Sequence, residues 1–166
     1  LPNLRRLVTN RWFVLGAMAV LVLVTPSALD IPLQQGILLG IIGVTALFNS
    51  VVQWRVSHAK SATLYELFSQ LLIDLAALGA LIFFSGGATN PLVSLLLPPV
   101  AIAALTLPAR CVLAVGGAAI TLYSLLMVYY IPLPMPDASR ATRLHLIGMW
   151  LTFAVSAVMI AWFVVR

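Results

Sequence analysis

Charged residues are scarce in this sequence: nine are basic and four are acidic, together 8% of its 166 residues. A water-soluble domain normally has about 25% charged residues, so the composition excludes a soluble globular protein. One cysteine, Cys111, excludes an intrachain disulfide. With two histidines besides, the chain has no zinc-type cluster, and we predict no metal site. It also lacks a phosphate-binding glycine loop and an activated nucleophile, so we predict no catalytic residue.

Apolar residues make up 63% of the chain and occur in long, nearly continuous runs. A helix needs about 20 apolar residues to cross the roughly 30 Å hydrocarbon core of a bilayer. Prolines and glycines separate the runs, because both residues interrupt helical hydrogen bonding. We therefore predict an all-α integral membrane protein, a bundle of six transmembrane helices near residues 11–28, 33–54, 62–84, 91–107, 111–131 and 144–165.

The basic residues are scattered singly between the apolar runs, which indicates membrane topology and not a nucleic-acid partner. If both termini are cytoplasmic, Arg140 and Arg143 are the two basic residues on the outer side. The other seven then lie inside, at Arg5, Arg6, Arg11, Arg55, Lys60, Arg110 and Arg166. Because cytoplasmic loops are enriched in Lys and Arg, we predict this orientation.

The short connection between the third and fourth helices, Ser85-Gly86-Gly87-Ala88-Thr89-Asn90-Pro91, is the most distinctive local sequence. As a plain turn it is easily explained: two glycines end a helix, Asn90 caps the next one, and Pro91 occupies its first position. A binding role is the alternative. The free N–H groups that begin a helix attract a carbonyl oxygen, and the glycines allow a ligand ring to approach the backbone closely. The amide of Asn90 and the hydroxyl of Thr89 would add donors.

The run from Leu67 to Pro108, LFSQLLIDLAALGALIFFSGGATNPLVSLLLPPVAIAALTLP, resembles the RegB/PrrB family of redox-sensing histidine kinases, which includes ActS and RoxS. The family signature is GGxxNPF, and this sequence has Leu92 where the family usually has phenylalanine. The opening Arg11-Trp12 pair and the six-helix layout are also similar to the family.

The resemblance implies that the loop binds ubiquinone, through Gly86, Gly87, Thr89, Asn90, Pro91 and Leu92. Leu92 removes a ring that would stack on the quinone, so either the affinity is weaker or Phe83, Phe84 or another aromatic ring takes its place. His145 begins the sixth helix at a similar depth and would donate to the quinone or accept its proton. The alternative for His145 is an ordinary interfacial histidine.

The resemblance also implies that these residues are the input domain of a longer, multi-pass protein of the bacterial inner membrane. A cytoplasmic kinase module that uses ATP for autophosphorylation would follow Arg166, act as a homodimer and pass the signal to a response regulator. The alternatives are a small membrane transporter and a quinone-binding subunit of a respiratory complex. A transporter would show related halves, and haem ligation would need histidines deep within helices, neither of which the sequence has.

Glu66, Gln70 and Asp74 recur every four residues and so share one face of the third helix. Asp74 lies twelve residues before Gly86, about 18 Å along a helix, so it is too far away to touch a ligand held by the loop. Two roles remain open for Asp74: a hydrogen-bonded contact between helices, or a proton or signal relay.

Pro98 and Pro99 fall in the middle of the predicted fourth helix, where they would remove backbone donors and bend it. We predict that such a bend, directly below the loop, lets oxidised and reduced quinone favour different tilts of helices three and four. The sixth helix would transmit the difference.

Overall fold

The computed structural model describes residues 2–29, 31–58, 61–133 and 138–165. These residues form helices joined by short turns, and none of them lies in a strand. The elements are α1 (Pro2–Leu29), α2 (Gln35–His58), α3 (Leu64–Phe83), the 3₁₀ helices η1 (Gly87–Thr89) and η2 (Pro91–Leu96), α4 (Leu97–Thr106), α5 (Ala109–Val128) and α6 (Ala138–Val165).

Five of these helices, α1, α2, α3, α5 and α6, are long and apolar enough to cross a membrane. The fourth apolar segment, Pro91–Thr106, is shorter and consists of η2 followed by α4. The prediction of an all-α, six-segment membrane bundle is therefore confirmed. All six segments run back and forth between two ends. We call them the terminal end, where α1 begins and α6 finishes, and the loop end, which carries the turn between α3 and η2.

The predicted start of the first helix, residue 11, is wrong, because α1 begins at Pro2. Leu4, Leu7 and Val8 share one face of this extra stretch and are buried in the main apolar core. There they join Val52 and Val56 near the end of α2. Basic residues interrupt the apolar run here, so a prediction based on the length of apolar runs does not include this half-buried stretch in the helix. The sixth helix also begins earlier than predicted, at Ala138 instead of 144.

The prediction that Pro98 and Pro99 interrupt the middle of an α-helix is also wrong, while the bend itself stays a prediction. Backbone hydrogen bonding changes from 3₁₀ to α at Leu97, and Pro98 and Pro99 lie in the first turn of α4. A proline is well tolerated there, because the N–H groups of a first turn have no intrahelical partner. The two prolines thus mark the junction between η2 and α4, and both are buried.

The helices pack so that the loop end opens between α1 and α6. Helix α1 packs along α2, and α5 packs on α3 and α4. Helix α6 contacts mainly η2 and α4. At the terminal end, α1 and α6 meet again, since Arg6 donates a hydrogen bond of 3.0 Å to the carbonyl of Phe163 and the rings of Phe13 and Trp162 stack edge to face. The η2 segment therefore lies between α3 and the final helix.

Candidate ligand-binding site

The distinctive loop is closed by its own hydrogen bonds. The side-chain amide of Asn90 donates to the Ser85 carbonyl at 2.7 Å and to the Ser85 hydroxyl at 2.6 Å. Its oxygen accepts the N–H of Leu92 at 2.9 Å, which caps η2. The Thr89 hydroxyl donates to the Gly86 carbonyl at 2.7 Å. The donors that the sequence offered to a ligand, the Asn90 amide and the Thr89 hydroxyl, are thus occupied within the loop.

Substitution of Asn90 by leucine is expected to lower the free energy of unfolding by about 1–3 kcal/mol, because it leaves the buried Ser85 groups and the Leu92 N–H without their partner. Denaturant titration followed by circular dichroism in detergent measures the loss. Ser124→Ala is the matched control, since its single bond to the Ile120 carbonyl is exposed. Equal stability of the two variants would show that the side-chain hydrogen bonds of Asn90 do not stabilise the loop.

The two glycines face the end of α5. Gly86 and Gly87 have φ angles of 109° and 60°, in the left-handed region that favours glycine. A Cβ on Gly87 would collide with the Tyr130 side chain and come within 2.8 Å of the Leu126 carbonyl oxygen. The Ile131 N–H donates to the Phe83 carbonyl at 2.9 Å and holds the chain there. Packing against α5 and the residues after it therefore explains both glycines.

A cavity of about 670 Å³ lies between the loop, α1 and α6. Its walls are mostly apolar, with Met18 and Val22 from α1, Leu38 from α2 and Leu151 from α6 among them. Its polar side chains come from three separate parts of the chain: Thr25, then Ser85, Thr89 and Asn90, then Thr142, His145 and Thr152. An apolar chamber with a few convergent polar groups is the usual form of a small-molecule site.

The structure brings only part of the predicted site to this cavity. The lining includes five of the predicted residues: Thr89, Asn90, Pro91, Leu92 and His145. Gly86, Gly87, Phe83 and Phe84 do not line it, and the two phenylalanine rings stack on each other with centroids 5.1 Å apart. A role for these four residues in ligand binding stays a prediction. The contacts that the structure shows for them are packing contacts within the protein.

Sequence reasoning missed the wall that α1 contributes. Thr25 is the one hydroxyl residue in the apolar run that ends at Pro26, and this is the only feature of the sequence that could have marked it as a candidate binding residue. Nothing local connects it with a loop some sixty residues later, because the two meet only through the packing of α1 against the loop end.

The loop is joined directly to α6. Gly148 lies so close to Pro91 that an added Cβ would be 3.0 Å from the proline Cβ and closer still to its Cγ. One turn further along, the buried Thr152 hydroxyl is 3.0 Å from the Pro91 carbonyl and accepts a 2.7 Å hydrogen bond from Ser94. A displacement of Pro91 would therefore also displace α6.

Deeper in the bundle, Asp74 forms an ion pair with Arg11, with 2.6 Å between Asp74 Oδ1 and Arg11 Nε. The guanidinium also donates to Gln70 Oε1 at 3.0 Å and to Asn49 Oδ1 at 3.2 Å. Arg11 is only 5% exposed, so it lies inside the bundle and not on its surface, while the predicted orientation of the chain in the membrane stays a prediction. Of the two roles left open for Asp74, the structure shows the contact between helices, while a relay remains a prediction. At the terminal end Glu66 pairs with Arg55.

Comparison with known proteins places the chain in a family. Residues 3–164 match the family model of the PilS-like transmembrane domain. The chain belongs to the PilS-like transmembrane domain family. A curated relative of this PilS-like domain is the sensor histidine kinase RegB of Cereibacter sphaeroides, which is 28% identical over 155 residues. The alignment covers 92% of this chain and 34% of the relative, so the chain spans about a third of that protein. No solved structure matches.

The PilS-like domain is thus a RegB-like membrane sensor domain, and the resemblance given by the loop sequence is confirmed. It is a multi-pass protein of the inner membrane. The site described above lies within the matched residues. Its ligand is a separate question, which depends on the cavity.

Proposed function

We propose that the cavity between the loop and α6 binds the head group of ubiquinone, and that the domain senses the redox state of the quinone pool. The observation that carries the proposal is the form of the cavity. Its volume of about 670 Å³ accommodates a substituted ring with the first part of an isoprenoid tail. The apolar walls suit that tail, while the polar groups suit two carbonyl oxygens.

The hydrogen-bond donors in this proposal are His145 and Thr25. Both side chains line the cavity, and neither has a hydrogen-bond partner among the residues that the structure describes. A quinone carbonyl accepts hydrogen bonds, so a ring nitrogen of His145 from α6 and the hydroxyl of Thr25 from α1 would hold the head group from two sides. Asn90 and Thr89 support the ligand by fixing the shape of the loop. Leu92, in place of the family's phenylalanine, leaves space for the ring.

Signal output follows from the contact between Pro91 and α6. The redox state changes what a quinone oxygen does: a carbonyl only accepts a hydrogen bond, while a quinol hydroxyl also donates one. The two forms would therefore favour different positions of His145 relative to the loop. Since Gly148 and Thr152 pack on Pro91, the difference would reach α6 directly.

The rest of the proposal concerns the longer protein. With both termini cytoplasmic, α6 would deliver its end to a cytoplasmic module. By likeness to the sensor histidine kinase RegB, that module would be an ATP-dependent autokinase that works as a homodimer with a response regulator. Helix α6 would then be the input to the kinase.

Direct titration tests the ligand. The purified domain in lipid nanodiscs is titrated with a ubiquinone that has a short tail, and quenching of tryptophan fluorescence gives the affinity. His145→Phe and Thr25→Val are each expected to weaken binding up to about tenfold, the equivalent of one lost hydrogen bond.

The matched control for this titration is His58→Phe, because His58 lies at the terminal end of α2, with its ring against Trp54. It should bind like the parent domain. If the parent does not bind ubiquinone, the proposed function is wrong. If the parent binds but His145→Phe and Thr25→Val bind as tightly as His58→Phe, the donor assignment is wrong.

A further inference from the structure

Helices α1 and α6 meet at the terminal end of the bundle and separate toward the loop end. At the terminal end Arg6 donates to the Phe163 carbonyl, and the ring centroids of Phe13 and Trp162 are 6.2 Å apart. Closer to the middle of the bundle, Val155 of α6 packs against an apolar cluster to which α1 contributes. From there toward the loop end, the large cavity lies between the two helices. The gap between α1 and α6 is therefore part of that cavity.

The cavity reaches the outer surface of the bundle through this gap. Its deeper walls include Met18, Val22 and Leu38, which are all buried. By contrast, Leu21 of α1 and Leu151 of α6 line the same cavity but are 37% and 41% exposed. A side chain that both lines a cavity and is exposed lies at the rim of an opening. We call the opening between these two leucines the portal.

The portal lies at a depth where hydrocarbon surrounds the bundle. The apolar span of α1 ends at Ser27, and that of α6 begins at Thr142. Leu21 is six residues from Ser27 and Leu151 is nine residues from Thr142, which is about 9 and 14 Å along a helix. Half of the hydrocarbon core of a bilayer is about 15 Å thick. An opening at this depth faces the interior of one leaflet and not the water.

Polar and apolar groups follow each other along the two helices in the order that a quinone needs. Thr25, the proposed donor on α1, is one helical turn closer to the loop end than Leu21. His145, the proposed donor on α6, is six residues closer to the loop end than Leu151. A ring held by these two donors would therefore have the portal on the side that faces the middle of the membrane. An isoprenoid tail lies on that side of the ring, because it is apolar.

We propose that the portal is the entrance to the cavity from the bilayer, and that the isoprenoid tail of bound ubiquinone extends through it into the lipid. The identity of the ligand in this inference rests on the proposed function. Lipid chains are as apolar as leucine side chains, so a tail between Leu21 and Leu151 stays in an apolar environment throughout. A polar solute would lose its hydrogen bonds to water on the same path. The bound tail would lie directly beside the output helix, α6.

Labelling from the lipid phase tests the opening without any quinone. The parent domain in nanodiscs is irradiated with trifluoromethylphenyl diazirine, a small apolar reagent that dissolves in the bilayer, and mass spectrometry locates the labels. We expect labels on Met18 and Leu38, which are buried but line the cavity. Leu71, which is fully buried elsewhere in the core, should carry far fewer. If Met18 and Leu38 are labelled no more than Leu71, the portal does not exist.

Added bulk at the rim tests where the tail lies. The double variant Leu21→Phe/Leu151→Phe narrows the portal with apolar rings, which positions exposed to lipid should tolerate. Overfilling an apolar site is expected to weaken the binding of short-tailed ubiquinone about tenfold. The same quinone ring without a tail should bind the double variant and the parent equally, because the donors of the head group are unchanged. Labelling of Met18 should also fall.

The matched control is Leu23→Phe/Leu146→Phe, the same change on the same two helices at exposed leucines that do not line the cavity. It should bind and label like the parent. If short-tailed ubiquinone binds both double variants equally well, the tail does not pass through the portal, and the proposal is wrong.

The two proposals fail in different ways. If the parent binds neither quinone, the proposed function is wrong, and the place of the tail is wrong with it. Labelling of Met18 and Leu38 then still decides whether the cavity opens to the bilayer. Because the labelling of the parent requires no substitution, it decides this point even if Leu21→Phe/Leu151→Phe does not fold.

Discussion

Replacement of Arg11 by methionine is expected to lower the free energy of unfolding by about 3–5 kcal/mol. The change leaves the Asp74 carboxylate buried without its counter-charge. The oxygens of Gln70 and Asn49 also lose the guanidinium donors that they share. Because these residues lie on α1, α2 and α3, the loss weakens the contact among three helices at once. Methionine keeps most of the side-chain volume, so the effect is electrostatic in origin.

Unfolding by denaturant in detergent, followed by circular dichroism, measures this loss. Arg110→Met is the matched control, because Arg110 is exposed at the start of α5 and should tolerate the change. The double variant Arg11→Met/Asp74→Leu should recover most of the stability, since a buried ion pair is often replaceable by apolar residues of similar size. If Arg11→Met lowers the free energy of unfolding no more than Arg110→Met does, the Arg11–Asp74 ion pair does not hold the helices together.

The six-segment layout was predictable because bilayer thickness sets the length of an apolar run. The same rule failed at the start of α1, where Leu4, Leu7 and Val8 are buried although arginines stand between and beside them. Burial there depends on α2 and on the end of α6, which no window of the local sequence contains. The 3₁₀ form of η2 was missed for a similar reason, because hydropathy does not distinguish 3₁₀ from α hydrogen bonding.

The loop sequence located part of the candidate site, since Thr89, Asn90, Pro91 and Leu92 line the cavity. It could not show which of their polar atoms remain free to bind a ligand. The Asn90 side-chain amide donates its hydrogen bonds to Ser85, and this contact forms only in the folded turn. Arg11 was misjudged because its partners lie on other helices, 38 to 63 residues further along the chain. Contacts between residues on different helices cannot be predicted from the spacing of residues within one helix.

Replacement of Gly148 by leucine is expected to weaken ubiquinone binding more than tenfold, a loss above about 1.4 kcal/mol. A side chain at this position collides with the rigid ring of Pro91, so α6 and η2 must separate. Both residues line the cavity, and its wall would therefore move with them. The separation also breaks the approach of the Thr152 hydroxyl to the Pro91 carbonyl. Titration with a short-tailed ubiquinone measures the affinity.

Gly117→Leu is the matched control for Gly148→Leu, because Gly117 is exposed on α5 with no atom within 4 Å of an added Cβ. Spin labels on α5 and α6 report the distance between these helices in each variant. We expect that distance to grow in Gly148→Leu alone, since the leucine acts at the one glycine of α6, where the loop touches the helix. If the distance and the affinity are the same in both variants, then Pro91 does not set the position of α6. The proposed signal would then have to reach α6 from the cavity through α1, by way of the Arg6 bond to Phe163.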